Sequence, residues 1–140
     1  MRRWPRQPGT GFTLIELAVV LAVAALLVTL ALPAFTTPVA QARRGDAVAA
    51  LTRVQMAQEQ FRAQHGIYAA DPQALNGVSM RSEAGHYELQ LLRSDPYTYE
   101  AVASPRADGA QAQDSECLQI TLRVSDGLAE FGPSARCWGR

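Results

Sequence analysis

Hydrophobic and polar positions follow three different rules along this chain. From Phe12 to Leu32 every position except Thr13, Glu16 and Thr29 is apolar. A run that is apolar all round predicts a helix with no polar face. At 1.5 Å per residue, 21 such residues reach roughly 30 Å, the thickness of a bilayer's hydrocarbon core. From Ala40 to His65 the period stays helical but becomes one-sided. Ala47, Ala50, Leu51, Val54, Ala57 and Phe61 recur at three- and four-residue spacing, with Arg53, Gln55, Glu59 and Arg62 off the stripe. Gly66 is placed to stop the helix. The two stretches together read as one long helix, Phe12 to His65, of about 80 Å.

Beyond residues 67–85, which are rich in Gly, Asp, Asn, Pro and Ser and read as a connecting loop, the period changes to two. Tyr87, Leu89 and Leu91 alternate with polar residues in 86–92, and Tyr97, Tyr99 and Ala101 share a face in 97–103. Ser94-Asp95-Pro96 reads as the turn between them. Leu118, Ile120, Leu122 and Val124 alternate cleanly in 118–124, the clearest strand pattern in the chain. Ser125-Asp126-Gly127 turns into a short fourth strand, 128–131, and 107–114 reads as a loop. The expected fold class is α+β: a long N-terminal helix packed on an antiparallel sheet of about four strands. A chain of 140 residues supports one such core and not a second.

Formal charge sums to zero, which hides an asymmetry. Arg2, Arg3 and Arg6 stand in the first eleven residues without an acid, whereas from Phe12 onward ten arginines face thirteen acidic residues. Arginines ahead of an apolar run favour a cytoplasmic N-terminus and leave the bulk of the chain outside. Three readings fit this segment. One is a secretory signal peptide with a small-residue cleavage site at Ala40-Gln41-Ala42. The second is a plain single-pass anchor. Both leave Glu16 unexplained, because a lone carboxylate in hydrocarbon costs several kcal/mol unless paired. The third is a leader that is cut away ahead of the apolar run.

Gly11-Phe12-Thr13-Leu14-Ile15-Glu16-Leu17 resembles the signature of type IV prepilins and pseudopilins. The resemblance implies that residues 1–11 are a leader removed between Gly11 and Phe12 by a membrane prepilin peptidase, which also methylates the new amine of Phe12. Glu16 then has a partner: in a staggered filament it meets the Phe12 amine of a neighbouring subunit. The bland alternative is a glutamate that snorkels to the interface. Pro33 cannot donate to the carbonyl of Thr29 and should kink or loosen the helix. Relatives often carry glycine eight residues before the matching proline, where this chain has Ala25. Gln113-Asp114-Ser115-Glu116-Cys117-Leu118, Gly127 and Cys137-Trp138 look like PilE-type minor pilins, as do Gln58-Glu59-Gln60-Phe61 and His65-Gly66-Ile67-Tyr68. The implied organisation is a leader, 1–11; the membrane and filament-core half of the helix, 12–39; and a globular head, 40–140, closed by a C-terminal disulfide loop.

Candidate chemistry is sparse. His65 and His86 lack metal-ligand spacing, the chain has no lysine for a phosphate-binding loop, and no metal, cofactor or catalytic residue is implied. Cys117 and Cys137 read as a disulfide in an exported head and as thiols in a cytosolic one. Asp114 and Glu116 are two carboxylates, too few to define a cation site. Arg123, Arg136 and Arg140 lie near Trp138, and arginine beside an exposed aromatic is one means of gripping DNA; the alternative is a solvated face with Trp138 packed on the disulfide. The resemblance implies a structural subunit, not an enzyme: a minor pilin of a type IV pilus, serving assembly or initiation, motility, adhesion or DNA uptake. Its partners would be other pilin subunits, the prepilin peptidase and the inner-membrane assembly machinery. It would be a single-pass inner-membrane protein with a periplasmic head before assembly and part of an extracellular pilus afterwards. The alternatives are a DNA-binding minor pilin for natural transformation and a pseudopilin of type II secretion.

Overall fold

The computed structural model describes residues 12–140, apart from the side chains of 30–37, 93 and 94. The proposed leader and Gly11 therefore lie outside the described residues, as does the side chain of Pro33. The chain falls into two compact units that divide between Thr37 and Pro38, each treated by itself below.

Helix α1 runs Leu14–His65, beginning two residues later than the Phe12 expected. The reason is a cap. Thr13 Oγ1 accepts a 3.3 Å hydrogen bond from the Glu16 N–H, which places Thr13 at the N-cap and Glu16 at the third helical position. A carboxylate there also faces the positive end of the helix dipole. The helix continues without interruption across Pro33 and Pro38. Among the described residues no helix is long and apolar enough to cross a membrane. Gly66, with φ of 78°, ends α1 in the left-handed conformation.

In the head, the α1 stripe of Ala47, Ala50, Leu51 and Val54 is buried, and Ala57 and Phe61 pack against the same core. One turn beyond Val54 the stripe continues with a polar residue. Gln58 is fully buried, and its amide both accepts from Ala69 N–H (2.8 Å) and donates to Ala69 carbonyl (3.0 Å). This clamp pins the segment after α1 and carries Tyr68 into the core, where its ring meets Tyr99 edge-on at 4.7 Å.

The sheet is a meander, β1 (Tyr87–Asp95), β2 (Thr98–Pro105), β3 (Ile120–Ser125) and β4 (Leu128–Gly132), antiparallel throughout and in sequence order. Tyr87, Leu89, Tyr99, Ala101, Ala103, Ile120, Leu122 and Val124 form its buried face. Three boundaries differ from expectation. β1 extends through Ser94 to Asp95, because the Asp95 carboxylate accepts the Tyr97 N–H (2.8 Å) and moves the turn to Pro96-Tyr97. Tyr97 consequently lies in the turn and is half exposed rather than sharing the face of Tyr99. β3 starts at Ile120, since Cys117 is tied down ahead of it and leaves Leu118 outside the ladder, 53% exposed. The β3–β4 turn uses Asp126 (φ 51°) and Gly127 (φ 84°), the two positive φ values of a type I′ hairpin.

Candidate functional site

Three places in the described chain carry chemistry. The first is the start of α1. Eleven large apolar side chains between Phe12 and Val28 are more than half exposed, from Leu14 at 88% to Val23 at 52%. They point in all directions around the helix, as the absence of a polar face requires. Glu16 is also exposed here, and its backbone N–H is held by the Thr13 hydroxyl.

The second place joins α1 to the segment ahead of β3. Arg44 is buried. Its Nε donates to Asp114 Oδ2 (2.7 Å), its Nη2 to Asp114 Oδ1 (2.8 Å), and Nη2 also to Glu116 Oε2 (2.9 Å). Fork-on-carboxylate geometry of this kind is the strong form of ion pair. Gln111, buried in a 3-10 turn over Ala110–Gln113, adds a donor to Asp114 Oδ2 (2.8 Å) and ties Ala40 carbonyl at 3.1 Å. Arg44 holds the Asp114 carboxyl below its ordinary range, and Arg44 followed by Arg136 does the same for Glu116. Asp114 and Glu116 together with Cys117 form the one acidic cluster of ligand-like geometry among the described residues. A guanidinium fills it, and the Cys117 sulfur is bonded to Cys137. The arrangement is therefore a structural ion pair with no free thiolate to offer a metal. Sequence reasoning missed Arg44 and Gln111. Arg44 lies only one step from the apolar stripe, and nothing in its local sequence distinguishes it from Arg43.

The third place is the C-terminal edge. Cys117 and Cys137 are disulfide-bonded and fully buried, with their Cα atoms 5.7 Å apart. Trp138 is 7% exposed and donates its indole N–H to Gly132 carbonyl at 2.9 Å. It packs edge-on against Phe131, with ring centroids 4.7 Å apart. Trp138 is thus core, and the exposed aromatic is Phe131. Of the arginines grouped with it, Arg123 stands in register between Glu100 and Glu130 on the neighbouring strands. Arg136 reaches Glu116 at 3.4 Å. Arg140 lies over the Phe131 ring, 4.4 Å from its centroid.

This architecture of one helix, a four-stranded meander and a disulfide ahead of the last residues agrees with the comparison by sequence. Residues 33–121 match the model of a family described as type IV minor pilin ComP, DNA uptake sequence receptor. A comparison with curated proteins gives no match. The matched segment begins within α1 and ends in β3, so it takes in Arg44, Gln58, Gln111, Asp114 and Cys117. It stops short of Gly11–Leu17 on one side and of β4, Cys137 and Arg140 on the other. The match covers well over half of the chain, on a head whose core and disulfide are those expected of a pilin; the chain belongs to the type IV minor pilin family of ComP.

Proposed function

We propose that this protein is a minor subunit of a type IV pilus that serves DNA uptake, entering the filament through the first half of α1. The observation that carries this reading is the exposed apolar surface from Phe12 to Val28. At 1.5–3 kcal/mol for each fully buried large apolar side chain, covering those eleven half-exposed residues is worth on the order of 10 kcal/mol. Lipid covers that surface before assembly, and the helices of neighbouring pilins cover it afterwards. The head then lies on the periplasmic side and later at the pilus surface. The prepilin peptidase cuts between Gly11 and Phe12 and methylates Phe12, and the assembly machinery passes the subunit into the filament. Glu16, exposed on the first turn, pairs with the Phe12 amine of a neighbour, since a carboxylate and an amine that are each costly in lipid become tolerable together. Pro33, which leaves one backbone carbonyl without its helical donor, is the point at which α1 yields during packing. The role in DNA uptake follows the description of the family, a DNA uptake sequence receptor.

Mass spectrometry of the membrane-bound protein tests the processing: the expected N-terminus is methylated Phe12. An N-terminus at Arg43 would establish a signal peptide and sink the reading. Glu16→Ala should leave cleavage intact yet lower the amount of subunit in sheared pili, and equal incorporation would refute the pairing. Deleting the gene should reduce DNA uptake, scored beside piliation and twitching. Uptake at the parental level would remove the DNA role and leave the pilin.

A further inference from the structure

The loop that joins α1 to β1 holds the one asparagine of the chain, Asn76, and a glycine follows it. Both residues are exposed. On either side of them the loop is fixed to the head. Leu75 is buried ahead of the pair, and Val78 and Met80 pack against the core behind it. The Met80 carbonyl also accepts the Leu89 N–H of β1 at 2.8 Å. Between these anchors Gly77 stands in the left-handed region, with φ of 72°, and a Cβ built on it would meet nothing within 4 Å. Among the described residues the Gly77 N–H has no hydrogen-bond partner. The N–H of Gly109, which follows Asp108, is by contrast held by the Arg106 carbonyl at 3.0 Å.

An asparagine side chain and the nitrogen of the next residue can close a succinimide ring, and asparagine is among the thermolabile residues for that reason. The Gly77 nitrogen attacks Asn76 Cγ. The N–Cγ bond forms, the Cγ–Nδ2 bond breaks, and the amide leaves as ammonia with the proton that the Gly77 nitrogen gives up. Water then opens the ring at either of its carbonyls. Opening at Cγ leaves aspartate and the original main chain. Opening at the Asn76 carbonyl carbon leaves isoaspartate, whose main chain runs through Cβ and Cγ. Nothing is oxidised or reduced, and water is the co-reactant. The loop favours each step: no side chain on residue 77 crowds the nitrogen, no hydrogen bond withholds it, and exposure admits water and hydroxide. Either product adds a carboxylate beside a groove of about 420 Å³ that Gly77 lines together with Arg53, Arg81 and Glu83. Arg53 already pairs with Glu83 there at 2.7 Å, in solvent, where one more charge changes stability little. Isoaspartate does more, because its additional main-chain carbon must fit between the fixed positions of Leu75 and Val78.

We propose that Asn76 is a self-modification site, losing its amide through a succinimide with Gly77, so that the α1–β1 loop of the head changes with the age of the subunit. The test holds the full chain in detergent micelles for days at physiological temperature, in mildly acidic and in mildly alkaline buffer, beside a sample unfolded in urea. Peptide mass spectrometry locates the products, and enzymatic methylation of isoaspartate counts that form. Aspartate and isoaspartate should both accumulate at position 76, isoaspartate in excess and both faster in alkali. The rate in the folded chain should lie within severalfold of that in the unfolded chain, while the glutamine-containing peptides stay intact. Gly77→Ala should slow both products severalfold. Aged protein should melt a few degrees below fresh protein, and Asn76→Asp should melt with the fresh protein. Asn76 left intact in the folded chain while the unfolded sample deamidates overturns the site. Aspartate without isoaspartate, or an unchanged rate in Gly77→Ala, overturns the route through Gly77. An equal melting loss in Asn76→Asp overturns the main-chain account of its effect.

Discussion

Replacing Arg44 by methionine isolates the ion pair that fastens α1 to the segment before β3. Methionine keeps most of the apolar stem and deletes three charge-assisted hydrogen bonds, two to Asp114 and one to Glu116. The side chains of Arg44 and Asp114 are 4% and 5% exposed, so water cannot replace the lost partner. Removing one member of a buried pair costs about 3–5 kcal/mol. Asp114 keeps its bond from Gln111, which argues for the lower end, about 3 kcal/mol. For a head of this size each kcal/mol moves the thermal midpoint by roughly 4–8 °C, so the expected fall is on the order of 12–24 °C at pH 7. Thermal unfolding of residues 38–140, followed by circular dichroism, measures it. The pH dependence adds a second readout. In the parent, Arg44 depresses the Asp114 pKa; that stabilisation is complete above the unfolded value near 4 and is lost as pH falls through the depressed folded value. In Arg44→Met the carboxyl is buried without its cation, its pKa rises, and acid relieves the penalty. The gap between variant and parent should therefore narrow from pH 7 toward pH 3. Arg44→Met with Asp114→Leu should regain most of the loss, since no charge is left uncompensated. A fall below about 5 °C at pH 7, or a gap that widens in acid, would refute the argument.

Two further outcomes follow from the C-terminal half. Cys117 and Cys137 are 20 positions apart, and closing a loop of that size contributes about 3 kcal/mol on the chain-entropy account; the double serine variant should melt well below the parent, and an equal midpoint would show the bond to be dispensable. Gly132 pairs with Thr121, and a Cβ on it would lie 2.5 Å from Thr121 Oγ1. Gly132→Ala should therefore destabilise the head by about 1–3 kcal/mol, and adding Thr121→Ala should restore it in denaturant titrations; an additive double variant would place the strain elsewhere.

Much of this molecule was legible in periodicity. The change from an all-round apolar run to a one-sided stripe at the second half of α1, and then to alternation over 118–124, follows directly from backbone geometry. Side chains repeat every 3.6 residues on a helix and every two on a strand, so a buried face writes its period into the sequence. Asp126-Gly127 announced its hairpin because few residues accept two successive positive φ values. Positions that depend on partners far along the chain left no such trace. Arg44 meets Asp114 across 70 residues, and Gln58 meets the Ala69 backbone across a loop. Each is a polar residue whose burial is tolerable only because another segment supplies its hydrogen bonds, and one-dimensional pattern treats both as solvated. The C-terminal edge shows the same division. Composition and position marked Cys117 with Cys137 as a pair and set Trp138 among arginines. Packing alone buried the tryptophan against Phe131 and left Phe131, rather than Trp138, as the aromatic that solvent and Arg140 share.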